Sequence, residues 1–269
     1  MASPGNLMEF VRRAAMVFAV AVLAGCSAAP ANDPEALAEF QEINDPAERV
    51  NRAIFGFNQG LDKAVIKPVT GAYRAVAPDP VRRSVHNFLA NLGSPVTFLN
   101  DILQGQFKRA MTTAGRFVIN STAGLIGLFD QAAPMGLEPR REDFGQTLAV
   151  WGFEEGPYLM LPVLGPSNYR DAIGFVVDTL MDPLNLWVNN TDREYIAYSR
   201  TSAAGIDTRD QLWDVLDDLE KSSIDFYAAI RSLYRQWRAD EIKNGAGPDS
   251  DPAPGFGGDF EIANPGAKR

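Results

Sequence analysis

The sequence holds one cysteine and one histidine in 269 residues. A single thiol cannot close an internal disulfide or furnish a Cys-rich zinc site. His86 alone leaves the usual His-based metal centres and catalytic triads short of parts. A phosphate-cradling Gly-rich loop and a Gly-x-Ser-x-Gly elbow are both absent, and Gly165-Pro166-Ser167-Asn168-Tyr169 fails the elbow pattern at its last position. No catalytic or metal-ligating set is therefore assigned, and no cofactor is implied. Basic side chains are in deficit, 25 against 34 acidic, for a net charge of -9. That balance argues against wholesale nucleic-acid binding, which needs a basic face to displace counterions. Long hydrophobic runs are missing too: residues 123–129, 158–164 and 173–188 are apolar, but each is interrupted by Pro, Gly or Asp. None reaches the roughly 18 apolar residues of a membrane-spanning helix. Composition favours a buried core for these segments over an amphipathic surface lying in a lipid interface.

What is present begins at the N-terminus. Arg12 and Arg13 close a positive segment and residues 14–23 are uncharged, the pattern of an export signal. The uncharged run ends in Leu23-Ala24-Gly25-Cys26, which resembles the lipobox of bacterial lipoproteins. The resemblance implies cleavage before Cys26, a diacylglyceryl thioether on its sulfur and an acyl group on its new amine. At about 0.8 kcal/mol per buried methylene, one chain holds a protein marginally and two or more hold it firmly. Ser27 stands where lipoproteins retained at the inner membrane typically carry Asp, so the expected destination is the periplasmic face of the outer membrane. An ordinary signal peptide with a chance cysteine is the competing reading.

The expected organisation is a signal peptide over 1–25, a tether over 26–34, a helical domain over 35–243 and a disordered Gly- and Pro-rich tail over 244–269. Within the body, helix-start signals recur and alternating strand patterns do not, so the fold class is all-α. Asp45-Pro46-Ala47-Glu48 offers an N-cap, a first-turn proline and a capping-box glutamate, and Asp79-Pro80 and Ser94-Pro95 repeat the first two. Helices are expected near 46–64, 80–91, 95–103, 106–120, 143–150, 168–181, 192–203, 208–220 and 222–243. The stretch 156–166 is too proline-rich for a regular helix and reads as an extended, buried connector. His86 reads as a surface or capping residue.

Charge is uneven along the chain. Residues 45–141 carry 12 basic and 7 acidic side chains, whereas residues 142–269 carry 11 basic and 22 acidic. The acidic group Asp214, Asp217, Asp218 and Glu220 reads either as a solvated helix face or as a docking surface for a soluble partner.

Six blocks, in order, carry a family resemblance. They are Asn44-Asp45-Pro46 through Ile54-Phe55-Gly56-Phe57-Asn58, Asn87 to Leu92, Leu103-Gln104-Gly105, Arg116 to Thr122, Asp143 to Leu148, and Gly156-Pro157-Tyr158-Leu159-Met160-Leu161-Pro162 with Gly165-Pro166-Ser167 and Arg170-Asp171 behind it. Together they resemble the MlaA (VacJ) family of outer-membrane lipoproteins over about residues 44–240. The resemblance implies a ring-like bundle of short amphipathic helices around a central channel, and not an enzyme. It also implies phospholipids leaving the outer leaflet for a periplasmic lipid-carrier protein, and a trimeric porin as scaffold. Asn58, Phe57, Pro157, Tyr158, Pro162 and Gly165 are the candidate channel or ridge residues, and Cys26 the lipid-attachment site. Asp130, Asp178 and Asp182, inside or beside apolar segments, are expected to need no partners beside a wet channel. The rival readings are a structural lipoprotein without a lipid channel and a hydrolase of unrecognised type.

Overall fold

The computed structural model describes residues 43–191 and 193–243. The signal peptide, Cys26, the tether and the C-terminal tail lie outside these residues. The elements are α1 (Glu48–Leu61), a π-helical turn (Asp62–Ile66), α2 (Lys67–Val76), α3 (Asp79–Leu103), α4 (Phe107–Thr122), a 3₁₀ turn (Ala133–Met135) and α5 (Phe144–Val150). A two-stranded hairpin, β1 (Tyr158–Leu161) and β2 (Gly165–Asn168), follows. The chain then continues through α6 (Tyr169–Met181), α7 (Pro183–Asn189), α8 (Glu194–Gln211), α9 (Trp213–Ser222) and α10 (Phe226–Ile242). The all-α class holds, with one short antiparallel hairpin added. The described chain falls into two compact units: the first takes the residues up to Leu61 with Glu155–Tyr169, the second Asp62–Glu154 with the chain from Arg170 onward.

Three helix boundaries differ from expectation for identifiable reasons. Pro95 lies inside α3, which runs unbroken for 25 residues. Ser94 does not cap a new helix, because its hydroxyl donates back to the Ala90 carbonyl at 3.3 Å, and the helix-hairpin packing of α3 on α4 carries the helix through the one donor that proline removes. Helix α2 was not among the expected helices, which left residues 65–79 unassigned. Pro68 sits in the first turn, where a missing N–H costs nothing. Helix α8 extends through Gly205 to Gln211 instead of ending near 203. Asp79, expected as a cap, is instead the first residue of α3, with Pro78 at the N-cap, while two aspartates not singled out as caps from sequence do cap: Asp143 accepts from Gln146 N at 2.9 Å, and Asp225 accepts from Ala228 N at 3.1 Å.

The second unit buries many polar side chains beside a small apolar core of Val188, Leu212, Tyr227, Ile230 and Tyr234, and it exposes many large apolar ones. Asn100, Asp101, Thr70 and Thr147 are fully buried, while Leu125, Ile126, Ile173, Phe175, Val176 and Leu180 are exposed, Ile126 by 68%. The apolar stretches 123–129 and 173–188 are thus largely a surface, correcting the core reading; of 158–164, only Tyr158, Leu159 and Met160 are buried. Within 123–129, Leu125, Ile126 and Gly127 take left-handed backbone, with φ of 52°, 61° and 93°. For a β-branched residue this conformation is strained by roughly 1–2 kcal/mol. The loop holds it through Gly127 N to Asn120 O at 2.8 Å and Phe129 N to Gly124 O at 2.9 Å.

Buried polar groups in this unit are tied to one another, as burial requires. Arg238 binds Asp143 at 2.6 Å, Asp171 at 2.8 Å and Glu241 at 2.7 Å, and the Tyr234 hydroxyl donates to Asp171 at 2.6 Å, which joins α5, α6 and α10. Asp210 on α8 accepts from Arg74 at 2.6 Å and Arg82 at 2.7 Å. Arg209 reaches Asp62 at 2.9 Å, and Lys67, Arg74 and Arg209 lie over the Trp213 ring. Asp130, Asp178 and Asp182 are partnered after all. Asp130 pairs with Arg116 at 2.7 Å, Asp178 accepts from Asn100 Nδ2 and Phe144 N at 2.9 Å each, and Asp182 pairs with Arg200.

Two consequences are measurable. A Cβ on Gly174 would fall 2.3 Å from Gly145 N, backbone that cannot yield, whereas a Cβ on Gly93 meets nothing within 4 Å. Gly174→Ala is expected to lower stability by about 1–3 kcal/mol and Gly93→Ala to raise it by about 0.5–1 kcal/mol, read from thermal melts in detergent. Burial, with the neighbouring Asp143 charge, outweighs Arg238 and holds the Glu241 pKa at about 7 instead of 4.5. The folded state keeps a proton that the unfolded chain releases, so stability falls as pH rises from about 4.5 through about 7. Glu241→Gln should flatten the melting temperature across that window, and an unchanged slope would assign the pH dependence to other groups.

Candidate functional site

Every described candidate residue lies in the first unit, on α1 and the hairpin. Three asparagines spaced seven residues apart organise it. Seven residues are nearly two helical turns, so Asn51 and Asn58 share one face of α1, while Asn44 precedes the helix in left-handed backbone. Asn44 donates to Gly156 O at 2.7 Å, and its own carbonyl accepts from Tyr158 N at 2.8 Å. Asn51, almost wholly buried, donates to Tyr158 O at 3.1 Å and to Asp45 Oδ1 at 2.7 Å, and its Oδ1 accepts from Met160 N at 2.9 Å. Asn58 donates to Leu161 O at 2.9 Å and accepts from Val163 N at 2.8 Å. A primary amide offers donor and acceptor side by side, so each side chain binds backbone as another strand would.

The hairpin pairs Tyr158 with Asn168 and Leu161 with Gly165. The expected extended connector over 156–166 is therefore extended but folded back on itself. Its turn needs left-handed backbone at Val163 and Gly165, with φ of 68° and 90°. Open space surrounds Gly165, so its backbone conformation and not crowding calls for glycine there. Asn58 holds the strained Val163 amide, and Val163 and Leu164 are left exposed at the tip.

The candidates divide by position. Asn58, Phe57, Pro162 and Gly165 gather at the turn. Pro157 immediately precedes β1, and its carbonyl accepts from Tyr169 N at 3.3 Å. Tyr158 is buried and meets Asn44 and Asn51 through its backbone. Arg49, Val50, Ala53, Ile54 and Phe57, at three-and-four spacing along α1, line an open groove of about 510 Å³ with Pro162. Asn44 and Asn51 were not singled out from sequence, although the spacing 44, 51, 58 was there to find.

Other residues weighed from sequence fall in the second unit. His86 is partly buried, not a surface or capping residue, and its Nδ1 lies 2.8 Å from Asp207 Oδ2. Asp217 is bound by Lys67 at 2.8 Å and Glu220 by Lys63 at 2.6 Å, which leaves Asp214 and Asp218 as the exposed part of the acidic group. Among the described residues no cluster of three or more His, Cys, Asp or Glu side chains is placed to hold a metal ion, and no helix is long and apolar enough to cross a membrane.

The model of the MlaA lipoprotein family matches residues 43–241. The chain belongs to the MlaA family. One relative, the intermembrane phospholipid transport system lipoprotein MlaA of Escherichia coli (strain K12), is 32% identical over 239 residues, covering 87% of this chain and 90% of the relative. An uncharacterised Rickettsia felis protein is 36% identical over 204 residues, covering 75% of this chain and 79% of its own length. A solved structure, described as the structural basis for maintenance of bacterial outer membrane lipid asymmetry, matches with a TM-score of 0.63 at 37% identity, covering 74% of this chain and 98% of that chain.

Within this MlaA-family site, Asn51→Ala would leave the Met160 N–H and Tyr158 carbonyl unpaired in a buried setting, at about 1–3 kcal/mol each. The expected result is faster amide hydrogen exchange at Met160 with a lowered melting point. Asn58→Ala, closer to solvent, should free mainly the Val163 amide. Unchanged protection at both amides would show that the strands hold themselves without α1.

Proposed function

We propose that this chain is a non-enzymatic lipid-transfer lipoprotein of the outer membrane. Anchored through Cys26 on the periplasmic face, it removes mislocalised phospholipids from the outer leaflet and passes them to a soluble periplasmic carrier. A trimeric porin is the scaffold that the family resemblance implies, and the lipid path is a central channel within a ring of short helices. The chain binds and conducts phospholipid without making or breaking bonds.

The observation that carries this reading is the extensive exposed apolar surface of the second unit in a member of the MlaA family. Exposed Leu125, Ile126, Ile173, Phe175, Val176 and Leu180 suit acyl chains, and an exposed apolar surface of this extent is unfavourable in water. No described helix is both long and apolar enough to span, and the reading therefore places such a body within one leaflet. A phospholipid needs apolar wall for its tails and polar groups for its head, and the unit supplies both. Asp214 and Asp218 offer charge to a soluble carrier. The close pairing of interior carboxylates, Asp130 with Arg116 and Asp182 with Arg200, supports a second reading, a structural lipoprotein without a lipid path.

The two readings separate in a deletion strain. Transport predicts phospholipid accumulating in the outer leaflet, restored by the wild-type chain and not by Cys26→Ala, which should remain unprocessed or soluble in the periplasm. A deletion strain that keeps its lipid asymmetry would leave the structural reading. Lysophospholipid or free fatty acid released by pure protein would point instead to a hydrolase.

A further inference from the structure

The groove on α1 is apolar along its length and charged at one end. Val50, Ala53, Ile54, Phe57 and Pro162 form the walls, and Arg49 stands at the N-terminal end. Arg49 is exposed and has no ion pair among the described residues, while its neighbours Glu48 and Arg52 satisfy each other at 2.7 Å. Arg49 is the second residue of α1, where the helix dipole adds to its positive charge. Eight residues at about 1.5 Å each separate Arg49 from Phe57, so the charge and the far wall lie about 12 Å apart. The volume of about 510 Å³ falls within the roughly 300–1,000 Å³ usual for small-ligand sites. The neighbouring face of α1 is tied to the hairpin through Asn51 and Asn58, so the wall that Pro162 contributes at the groove's edge is held in place before any ligand arrives.

A cation beside an open apolar groove complements an amphiphile with an anionic head and a hydrocarbon tail. A guanidinium suits a phosphate in particular, because its fork donates two parallel hydrogen bonds. We infer that this groove is a phospholipid subsite in which Arg49 holds the phosphate and one acyl chain lies along Val50, Ala53, Ile54 and Phe57 to Pro162. The inference takes its ligand class from the transport reading and adds a place for the lipid on the first unit. The hairpin turn is then one wall of a lipid site, and displacing the turn empties the groove.

The test is photocrosslinking of the full chain in vesicles of phosphatidylethanolamine and phosphatidylglycerol, with p-benzoylphenylalanine in place of Ile54. A phosphate-containing lipid adduct is expected by mass spectrometry. Arg49→Glu should lower its yield about tenfold, the scale of reversing a charge against a bound anion, and Arg49→Lys less. Ala53→Trp, which fills the trough, should abolish it. Both positions are exposed, so melting curves should match the wild type. The same probe in place of exposed Val81 on α3 reports bulk bilayer and should ignore the Arg49 and Ala53 changes. Excess inorganic phosphate at matched ionic strength should not compete. An adduct insensitive to Arg49→Glu, or removed by inorganic phosphate alone, overturns the subsite. A deletion strain that keeps its asymmetry while the crosslink behaves as described would overturn transport and leave the subsite standing.

Discussion

The second unit depends on how one buried cation is satisfied. Arg238 is almost fully enclosed, and a guanidinium in that setting is tolerable only with carboxylates and hydrogen bonds on every side. It draws Asp143 from the cap of α5, Asp171 from the first turn of α6 and Glu241 from its own helix. Three carboxylates on one cation leave an excess of negative charge, and Glu241 takes the penalty through its raised pKa. The close approach of Gly145 and Gly174 is a product of the same junction, because the helices meet nearer than side chains would allow. With much of the interior given over to such contacts, few large aliphatic residues are buried there, Val188, Leu212 and Ile230 among them. Apolar surface outside and polar ties inside are two sides of one arrangement.

The first unit solves a different problem with similar chemistry. A two-stranded hairpin is marginal on its own, and here α1 serves as a third partner through side-chain amides. Placing them at 44, just before the helix, and at 51 and 58 on it leaves the neighbouring face of the helix available, and that face carries the groove.

Much of the helix order was legible in the sequence, because aspartate caps and first-turn prolines are local signals. The misreadings trace to tertiary effects. Pro95 reads as a helix start until the packing of α3 against α4 is known, and no helix was expected around Pro68, which occupies a first-turn position where proline is harmless. The apolar stretches 123–129 and 173–188 were visible, but which way they face was not. Periodicity says that a helix has two faces without saying which one meets water, and the rule that apolar residues go inside fails here. Phe57, Asn58 and the 156–166 stretch were identified through resemblance. The amide clamp was missed because an asparagine in a helix is ordinarily read as a surface residue, and its partners lie about a hundred residues away.

The left-handed Leu125 and Ile126 carry a consequence for anyone seeking a hardier variant. A selection for heat resistance in detergent would favour glycine or asparagine at Ile126 and polar side chains across Ile173 to Leu180, since each change relieves strain or wets an oily surface. Those winners would be the proteins least suited to a bilayer. On the proposed transport reading, laboratory hardiness and residence in lipid pull this sequence in opposite directions.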